Sequence, residues 1–477
     1  MNRIVIAGAV AALLGACSLA PPYVPPKLDQ EVSQYKEAGE WAPAAPADEQ
    51  PRPDWWQAFG DPKLNELQQQ LRAGNQDLRA AFARFEQSRA LAGQARSQQY
   101  PQLNLDASAV RGRASVNGPN TLAAGKTGND FVASFEVAWQ IDLFGRLRNT
   151  TAAANARSQG RAADLAALNL TLQAELASDY FALRGDDATV KLLEDSVAQF
   201  DTAWAQTRRR YDTGVAAATD VDQADTLRQN ARSQLAATRL QRARLEHAIA
   251  VLLGLPPSAF TLPTAPLAAE PPTIGVTLPS VLLERRPDVA SAERDVAAAN
   301  AGIGVARAAW FPVFSLQAAA AGFESVATAN WIGAPSRFWS VGPGGQLPLL
   351  DVGGRRALNA QARAAYEESV ADYRKTALTA YQEVEDGLVA VRRLSEQQAA
   401  DAASAKAAQS AAYHADERYA AGVADYIEVT TTHTAALAAQ SAALASQAAR
   451  LNAAVSLVQA LGGGWTMTPA RLNSPTL

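Results

Sequence analysis

The sequence is short of the residues from which most catalytic and metal sites are built. Its 477 residues include one cysteine, three histidines and two methionines. Thiolates, imidazoles and thioethers supply many nucleophiles, general bases and soft-metal ligands, so their scarcity disfavours an enzyme or a metalloprotein. Lysine and arginine total 43 against 47 acidic residues, a formal net charge of −4, and no basic excess indicates a nucleic-acid partner. We therefore expect no catalytic residue, no cofactor and no bound metal.

The N-terminal apolar run is too short to cross a membrane. It covers residues 4–14 after Arg3, whereas a membrane helix needs about 20 apolar residues. A basic start, a short apolar run and small residues are typical of a signal peptide, predicted here at residues 1–16. The stretch LGAC resembles a bacterial lipobox, which predicts lipidation of Cys17. Ser18, which is not an aspartate, favours the outer membrane in lipoproteins of that kind.

Proline-rich stretches divide the remaining chain. Residues 17–54 predict an extended, lipid-anchored arm that tethers the body to the membrane, and residues 256–279 predict a connector. Two long regions, residues 55–255 and 280–465, flank that connector, and residues 466–477 form a tail.

The two long regions are copies of one another. YDTGVAAATDV begins at Tyr211 and YAAGVADYIEV begins at Tyr419, 208 positions later. Other similar stretches keep the same order at offsets of 208 to 211 residues, and self-similarity at one offset indicates a tandem duplication. These pairs begin at Gln76 and Pro287, Tyr100 and Phe311, Asp142 and Asp351, and Leu253 and Leu461.

Each copy contains a pair of alternating segments that predict strands. In residues 131–143 the odd positions are apolar and several even ones are polar, and residues 103–109 alternate more weakly. Residues 314–322 and 339–350 occupy the same places in the second copy. One apolar and one polar face suit the wall of a membrane barrel, although a soluble sheet would alternate in the same way. Four strands are too few for a single-chain barrel, so a barrel must close between chains.

The rest of each copy predicts helices of unusual length. Residues 145–210 contain no proline, and Val190, Leu193 and Val197 follow three-four spacing. A continuous helix of this extent is about 100 Å long at 1.5 Å per residue. The alternative is a solid coiled coil, which the same spacing favours.

Two quoted stretches carry a resemblance to a known family. LPSVLLERRPDVASAERDVAAANAGIGVARAAWFP, residues 278–312, is similar to a signature of the NodT-type outer-membrane efflux lipoproteins within the TolC family. WWQAFGDPKLNELQQQLRAGNQDLRAAFARFEQSRA, residues 55–90, resembles its N-terminal counterpart. The resemblance implies a homotrimer that is mainly α-helical, with a 12-stranded β-barrel in the outer membrane and a periplasmic helical tunnel. It also implies a periplasmic adaptor and an inner-membrane pump of the resistance-nodulation-division type as partners.

The repeated YxxG motifs predict the turns between the long helices. Gly214 and Gly422 fit helix ends that need a left-handed residue, and Thr219 or Asp220 can cap the next helix. Family resemblance places Asp220 and Tyr419 in a periplasmic aperture. The family's arginine falls on Ala424, which leaves Arg210, Arg418, Asp425 and Glu428 as alternative latch residues. The two histidines flanking the second turn, His414 and His433, are expected on a solvated helix surface.

The leading interpretation is a passive outer-membrane channel that exports drugs or other small solutes. The alternative is a lipid-tethered periplasmic coiled-coil adaptor or scaffold, which would lack the lipid-facing strands. An enzyme would need a reactive cluster that the sequence does not offer.

Overall fold

The structure is a computed structural model in which part of the chain is described. The described residues are 18–28, 34–38, 54–117, 125–272, 286–329 and 331–463. For residues 317–320 only the backbone is described. The predicted signal peptide, Cys17 and the predicted tail at 466–477 lie outside these ranges.

From the helix that begins at Gln76 in the first half and the one that begins at Pro287 in the second, the described elements repeat one order with the same helix lengths. In each half a helix of 22 residues precedes two strands, and helices of 67 and 35 residues follow them. Such agreement is what a tandem duplication produces. The described elements are α1 (Pro62–Gly74), α2 (Gln76–Ser97), β1 (Gln102–Arg113), β2 (Thr127–Ile141), α3 (Arg146–Asp212), α4 (Ala218–Leu252), α5 (Pro287–Ala308), β3 (Val313–Ser325), β4 (Arg337–Gln346), α6 (Gly354–Ala420) and α7 (Tyr426–Ala460).

The predicted long helices are confirmed. Helix α3 is continuous over its 67 residues because no proline interrupts it and apolar residues recur every three or four positions. Val190, Leu193 and Phe200 on this stripe are buried against Leu227 and Leu235 of α4. Among the helices within the described ranges, none combines the length and the apolar character that a membrane crossing requires.

The chain forms two compact units. The first comprises the described parts of Met1–Lys27, Arg84–Arg161 and Ser291–Arg374, and it contains the four strands. The second comprises the described parts of Leu28–Ala83, Ala162–Ala290 and Lys375–Leu477. Its apolar core includes the fully buried side chains of Trp56, Leu64, Phe181, Ile249 and Leu451.

The four strands form one antiparallel sheet in the order β1-β2-β3-β4. Leu105 pairs with Phe135, Phe135 with Ala321, and Ala321 with Trp339. Directly paired residues share a face, so these side chains form an apolar row across the sheet. The row is open: Leu105 is 65% exposed, Phe135 53% and Trp339 79%. Among the described residues, β1 and β4 each pair with a strand on one side alone.

The end of β4 differs from the prediction. The strand ends at Gln346, whereas the sequence pattern extends it to Leu350. Pro348 has no N–H to donate to a sheet ladder, so the run LPLL does not continue the pairing. Pro343 lies inside β4, opposite Leu316 of β3.

The connector is bound to the helices of the second unit over its described part. Leu262 is 1% exposed, its carbonyl accepts from Arg242 at 2.5 Å, and its N–H donates to Glu246 at 2.6 Å. Arg184 donates to the carbonyl of Pro263 at 2.7 Å. These charged groups replace the hydration that the connector backbone loses on packing.

Candidate functional site at the hairpin turns

Both long helical hairpins turn on a glycine with left-handed backbone. Gly214 has φ 77° and Gly422 has φ 74°. After each glycine, the next N–H donates to the carbonyl four positions before the glycine, at 2.8 Å in the first turn and 3.0 Å in the second. This bond is typical of the Schellman motif, which closes a helix C-terminus. No atom lies within 4 Å of a Cβ placed on either glycine, so it is backbone conformation that requires glycine here.

In the helices that follow, the side chain of the N-cap residue makes no capping hydrogen bond. The N-cap of α4 is Ala217, so the predicted caps, Thr219 and Asp220, lie inside the first turn of the helix. Alanine has no side-chain acceptor. The Asp220 carboxylate instead accepts from the N–H of Ala217 at 3.3 Å, which satisfies one free donor of the helix start. The N-cap of α7 is Asp425, whose side chain makes no capping bond.

Tyr419 joins the two hairpins. Its half-buried ring packs edge-on against Tyr426, with centroids 5.1 Å apart and planes at 69°. The guanidinium of Arg210, at the end of α3, lies 4.7 Å from the centroid of the Tyr419 ring. A cation over an aromatic face is attracted by the ring quadrupole, so this contact holds the end of the first hairpin to the second.

Tyr426 is the buried centre of this contact. It is 4% exposed and packs with Ala224, Ala415 and Val429. Burial raises the pKa of its hydroxyl, and a hydrogen bond with Thr207 opposes that rise. The ring therefore stays neutral, as a buried phenol with a hydroxyl partner does.

Arg418 makes a different contact from Arg210, although the two occupy equivalent positions in the repeats. Its guanidinium pairs with Glu428 at 3.2 Å, within the second hairpin, and both side chains are largely exposed. An exposed pair of this kind contributes about 0–1 kcal/mol. Asp425 and Ala424 lie in the turn beside it.

A groove of about 800 Å³ lies beside the turns, bounded by the end of α3, the end of α6 and the start of α7. His433 lies in its wall, with Nε2 2.9 Å from both carboxylate oxygens of Asp416 and its ring edge-on to Phe200 at 5.6 Å. The expectation of a solvated surface is wrong for His433, whose side chain is 19% exposed, because α3 packs over it. His414 is exposed.

A second cation-aromatic contact ties α3 to α4 above the first turn. The Arg228 guanidinium lies 4.1 Å from the centroid of the Trp204 ring and 2.5 Å from Asp225. Asp201 accepts from Arg232 at 2.8 Å. Sequence patterns did not predict a role for these residues, because that role depends on how α3 and α4 pair and not on a repeated motif.

The sequence itself carries a sign of the asymmetry between the two turns. Tyr426 faces Ala218 when the copies are aligned at the offset of the turns. A large aromatic residue opposite an alanine marks the place where the copies differ in packing. Its partner, Tyr419, is predicted to lie in the aperture from its position in the family motif.

An open-faced sheet and two matched helical hairpins place the chain in the class of duplicated helical proteins that carry a small antiparallel sheet. The profile of the family described as outer membrane efflux protein matches residues 67–255 and 278–463. The chain belongs to this family of outer-membrane channel proteins. The two matched segments fall on the two copies.

Known relatives cover nearly the whole chain. It is 32% identical over 98% of its length to the probable efflux pump outer membrane protein TtgC of Pseudomonas putida, of which 96% is covered. It is 32% identical over 95% of its length to the pyoverdine export outer membrane protein OpmQ of Pseudomonas aeruginosa, also 95% covered. The solved outer-membrane channel OprN superposes with a TM-score of 0.87 at 29% identity, over 94% of this chain and 100% of that one.

Proposed function

We propose that three copies of this chain form a passive duct through the outer membrane. The observation that carries the proposal is the four-stranded sheet, whose exposed apolar row crosses all strands and whose outer strands pair on one side each. Unpaired backbone groups cannot face lipid, so β1 of one copy pairs with β4 of the next. Three copies then supply twelve strands, and their helices enclose the periplasmic tunnel.

The duct works with two partners: a pump that supplies the energy for transport and an adaptor that connects the pump to the duct. A periplasmic adaptor and an inner-membrane pump of the resistance-nodulation-division type fit an efflux protein that has no nucleotide-binding loop of its own. The duct itself performs no chemistry. The relatives are named for efflux and for pyoverdine export, which supports small solutes as cargo.

Cysteine pairs test the closure between copies. Ser108→Cys or Asp106→Cys in β1, combined with Ser340→Cys or Gly342→Cys in β4, should give covalent dimers and trimers after oxidation of outer membranes. Each single variant, and a Ser233→Cys control on α4 combined with Ser340→Cys, should remain monomeric in denaturing gels. Monomers for every β1/β4 combination, together with a monomeric mass in mild detergent, would refute the duct.

The hairpin turns form the aperture of the duct in this proposal. Asp220, Tyr419, Asp425 and Glu428 lie at the turns, and the contact of Arg210 with Tyr419 holds two hairpins together. Three Asp220 carboxylates around one axis repel anions and favour cations.

Conductance of the purified channel in planar bilayers tests the aperture. Arg210→Ala should raise the conductance several-fold, and Arg418→Ala, which alters a contact within one hairpin, should leave it near the wild-type value. Asp220→Ala should reduce cation selectivity. Equal conductance of the two arginine variants, or unchanged selectivity, argues against this aperture.

Lipidation of Cys17 completes the proposal. The lipobox-like LGAC and the cysteine-free remainder of the chain support it. The mass of the N-terminal peptide of the mature protein measures it directly, and Cys17→Ala should remove the acyl mass.

A further inference from the structure

The residues that directly follow Cys17 are bound to the body of the first unit. Leu19, Pro21 and Tyr23 are half-buried, whereas Pro22 and Val24 are exposed. Ala20 is half-buried as well, so four of these six residues lie against the protein. The proline-rich composition predicted an extended arm, and these residues show in addition that its first part contacts the protein.

Helix α5 holds this segment through three polar side chains spaced seven residues apart. Arg307 donates to the carbonyl of Leu19 at 3.2 Å, and Asn300 donates to the carbonyl of Pro21 at 2.9 Å. Glu293 accepts from the Tyr23 hydroxyl through its carboxylate, and through its backbone carbonyl at 3.3 Å. Residues seven apart lie on one face of a helix, two turns from one another, so the three form a single row.

The spacing of the row matches the length of the segment it holds. Leu19 and Tyr23 are about 13 Å apart in an extended chain at about 3.3 Å per residue. Glu293 and Arg307 are about 21 Å apart along the helix at 1.5 Å per residue. The long side chains of Tyr23 and Arg307, at the two ends of the row, span the difference.

A buried glycine on α5 gives the segment room to approach. A Cβ on Gly304 would lie 2.7 Å from the Cβ of Ala20 and 2.4 Å from Nδ2 of Asn149. Asn149, in the first turn of α3, accepts from the Ser18 hydroxyl at 2.9 Å. Two residues earlier, Gly302 has no atom within 4 Å of such a Cβ. Both are helix-interior glycines, so they differ in contact with Ala20 and with Asn149, which itself holds Ser18, and not in helix propensity.

The three side chains of α5 are suited to bind an extended backbone that carries one tyrosine. Two donors meet carbonyl groups, which any residue carries, and one acceptor meets a hydroxyl at a fixed distance from them. Burial and the hydrogen bond to Glu293 both raise the pKa of Tyr23, so the hydroxyl keeps the proton that it donates.

We propose that α5 is the docking site of the mature N-terminus, and that it fixes where the lipid anchor leaves the protein. The inference rests on the proposed lipidation of Cys17 for its function, but not for the contact itself. Ser18 is held at the start of α3, shortly after β2 ends. A lipid attached to the residue before Ser18 would therefore start from that end of the sheet and not from the end of a long tether.

Limited trypsin digestion of the full chain in outer membranes tests the docking, with mass spectrometry of the released peptide. Lys27 is exposed and lies four residues after Tyr23. A protease binds several extended residues on each side of the bond that it cuts, so cleavage after Lys27 should be faster in the population whose arm has left α5. Wild-type protein should be cut slowly there. Asn300→Ala should increase the rate about fivefold, as the loss of one hydrogen bond predicts. Gly304→Ala should increase it further, and Gly302→Ala should match the wild type.

The outcomes separate docking from lipidation. If Lys27 is cut at the same rate in the wild type, Asn300→Ala and Gly304→Ala, the docking site is refuted. Asn300→Ala keeps the test valid if Gly304→Ala fails to fold, because it removes one side-chain donor and adds no atoms. Protection of Lys27 in Cys17→Ala supports docking by α5, whereas protection lost with the lipid would assign the contact to the membrane. A peptide from residue 17 to Lys27 without acyl mass would refute lipidation alone.

Discussion

The two hairpin turns share a backbone and differ in what their side chains contact. Each turn follows a 67-residue helix, has a left-handed glycine and precedes a 35-residue helix. In the first turn, Arg210 reaches across to the ring of Tyr419 and Asp220 accepts from the helix start. In the second, the equivalent Arg418 and Glu428 pair with one another.

The difference shows that two turns with the same backbone can place equivalent side chains on different partners. At the same motif position, Arg210 contacts the other hairpin, whereas Arg418 contacts a residue of its own hairpin. Motif position alone therefore does not assign a latch. The aromatic residue at 426, which has alanine as its counterpart at 218, decides the outcome, because it supports the Tyr419 ring against which Arg210 lies.

Tyr426→Ala should break this asymmetry and should have the largest effect. It gives the second copy the residue of the first, and removing a buried aromatic side chain costs about 3 kcal/mol. Hydrogen exchange should show faster local opening at the end of α6 and the start of α7. Tyr426→Phe should retain most of the protection.

Ile427→Ala serves as the matched control because Ile427 is the next residue and is 63% exposed. Its exchange rates should stay close to those of the wild type. Similar protection in Tyr426→Ala and Ile427→Ala would mean that Tyr426 does not organise the contact.

Gly214→Ala and Gly422→Ala should show whether the two turns have equivalent backbones. Each places a side chain at positive φ in open space, so each should weaken its turn by about 1 kcal/mol through backbone strain alone. The two losses, measured by hydrogen exchange at the helix ends, should agree. A much larger loss at one glycine would show that the turns are not equivalent in backbone.

The stability of α3 should depend on pH, whereas its counterpart α6 lacks the two carboxyls responsible. We expect this to be the smallest of the effects. Burial, reinforced by Glu175, raises the pKa of Asp179 from 3.8 to about 6, and burial beside Asp187 does the same for Asp186. Their counterparts at the same offset are Gly387 and Leu394. The two carboxyls favour the protonated folded state, so the stability they contribute is complete below pH 3.8 and is lost as pH rises through about 6.

Hydrogen exchange of α3 at pH 5 and pH 7.5 measures this contribution. Protection around Asp179, corrected for intrinsic exchange rates, should fall a few-fold at the higher pH, a small effect because both carboxyls are partly exposed. Asp179→Asn combined with Asp186→Asn should remove the fall. A fall of the same size in the double variant would assign it to other groups.

Much of the fold followed from local patterns. The apolar stripe and the absence of proline predicted α3, alternation predicted the strands, and the glycines predicted the turns, because each depends on near neighbours in the chain. The predicted end of β4 was wrong because the apolar run continues past Gln346, whereas Pro348 cannot donate a hydrogen bond to the ladder. His433 was misplaced, since its burial depends on α3, which is distant in sequence.

The sequence by itself determined the duplicated order of elements, the helix lengths and the left-handed turns, since periodicity and glycine chemistry act over a few residues. The tertiary structure alone decided which arginine reaches Tyr419, how His433 is covered and that the proline-rich segment lies on α5. Those contacts join residues between 17 and about 290 positions apart. Their partners are selected by the packing of whole helices, a long-range property that no local pattern encodes.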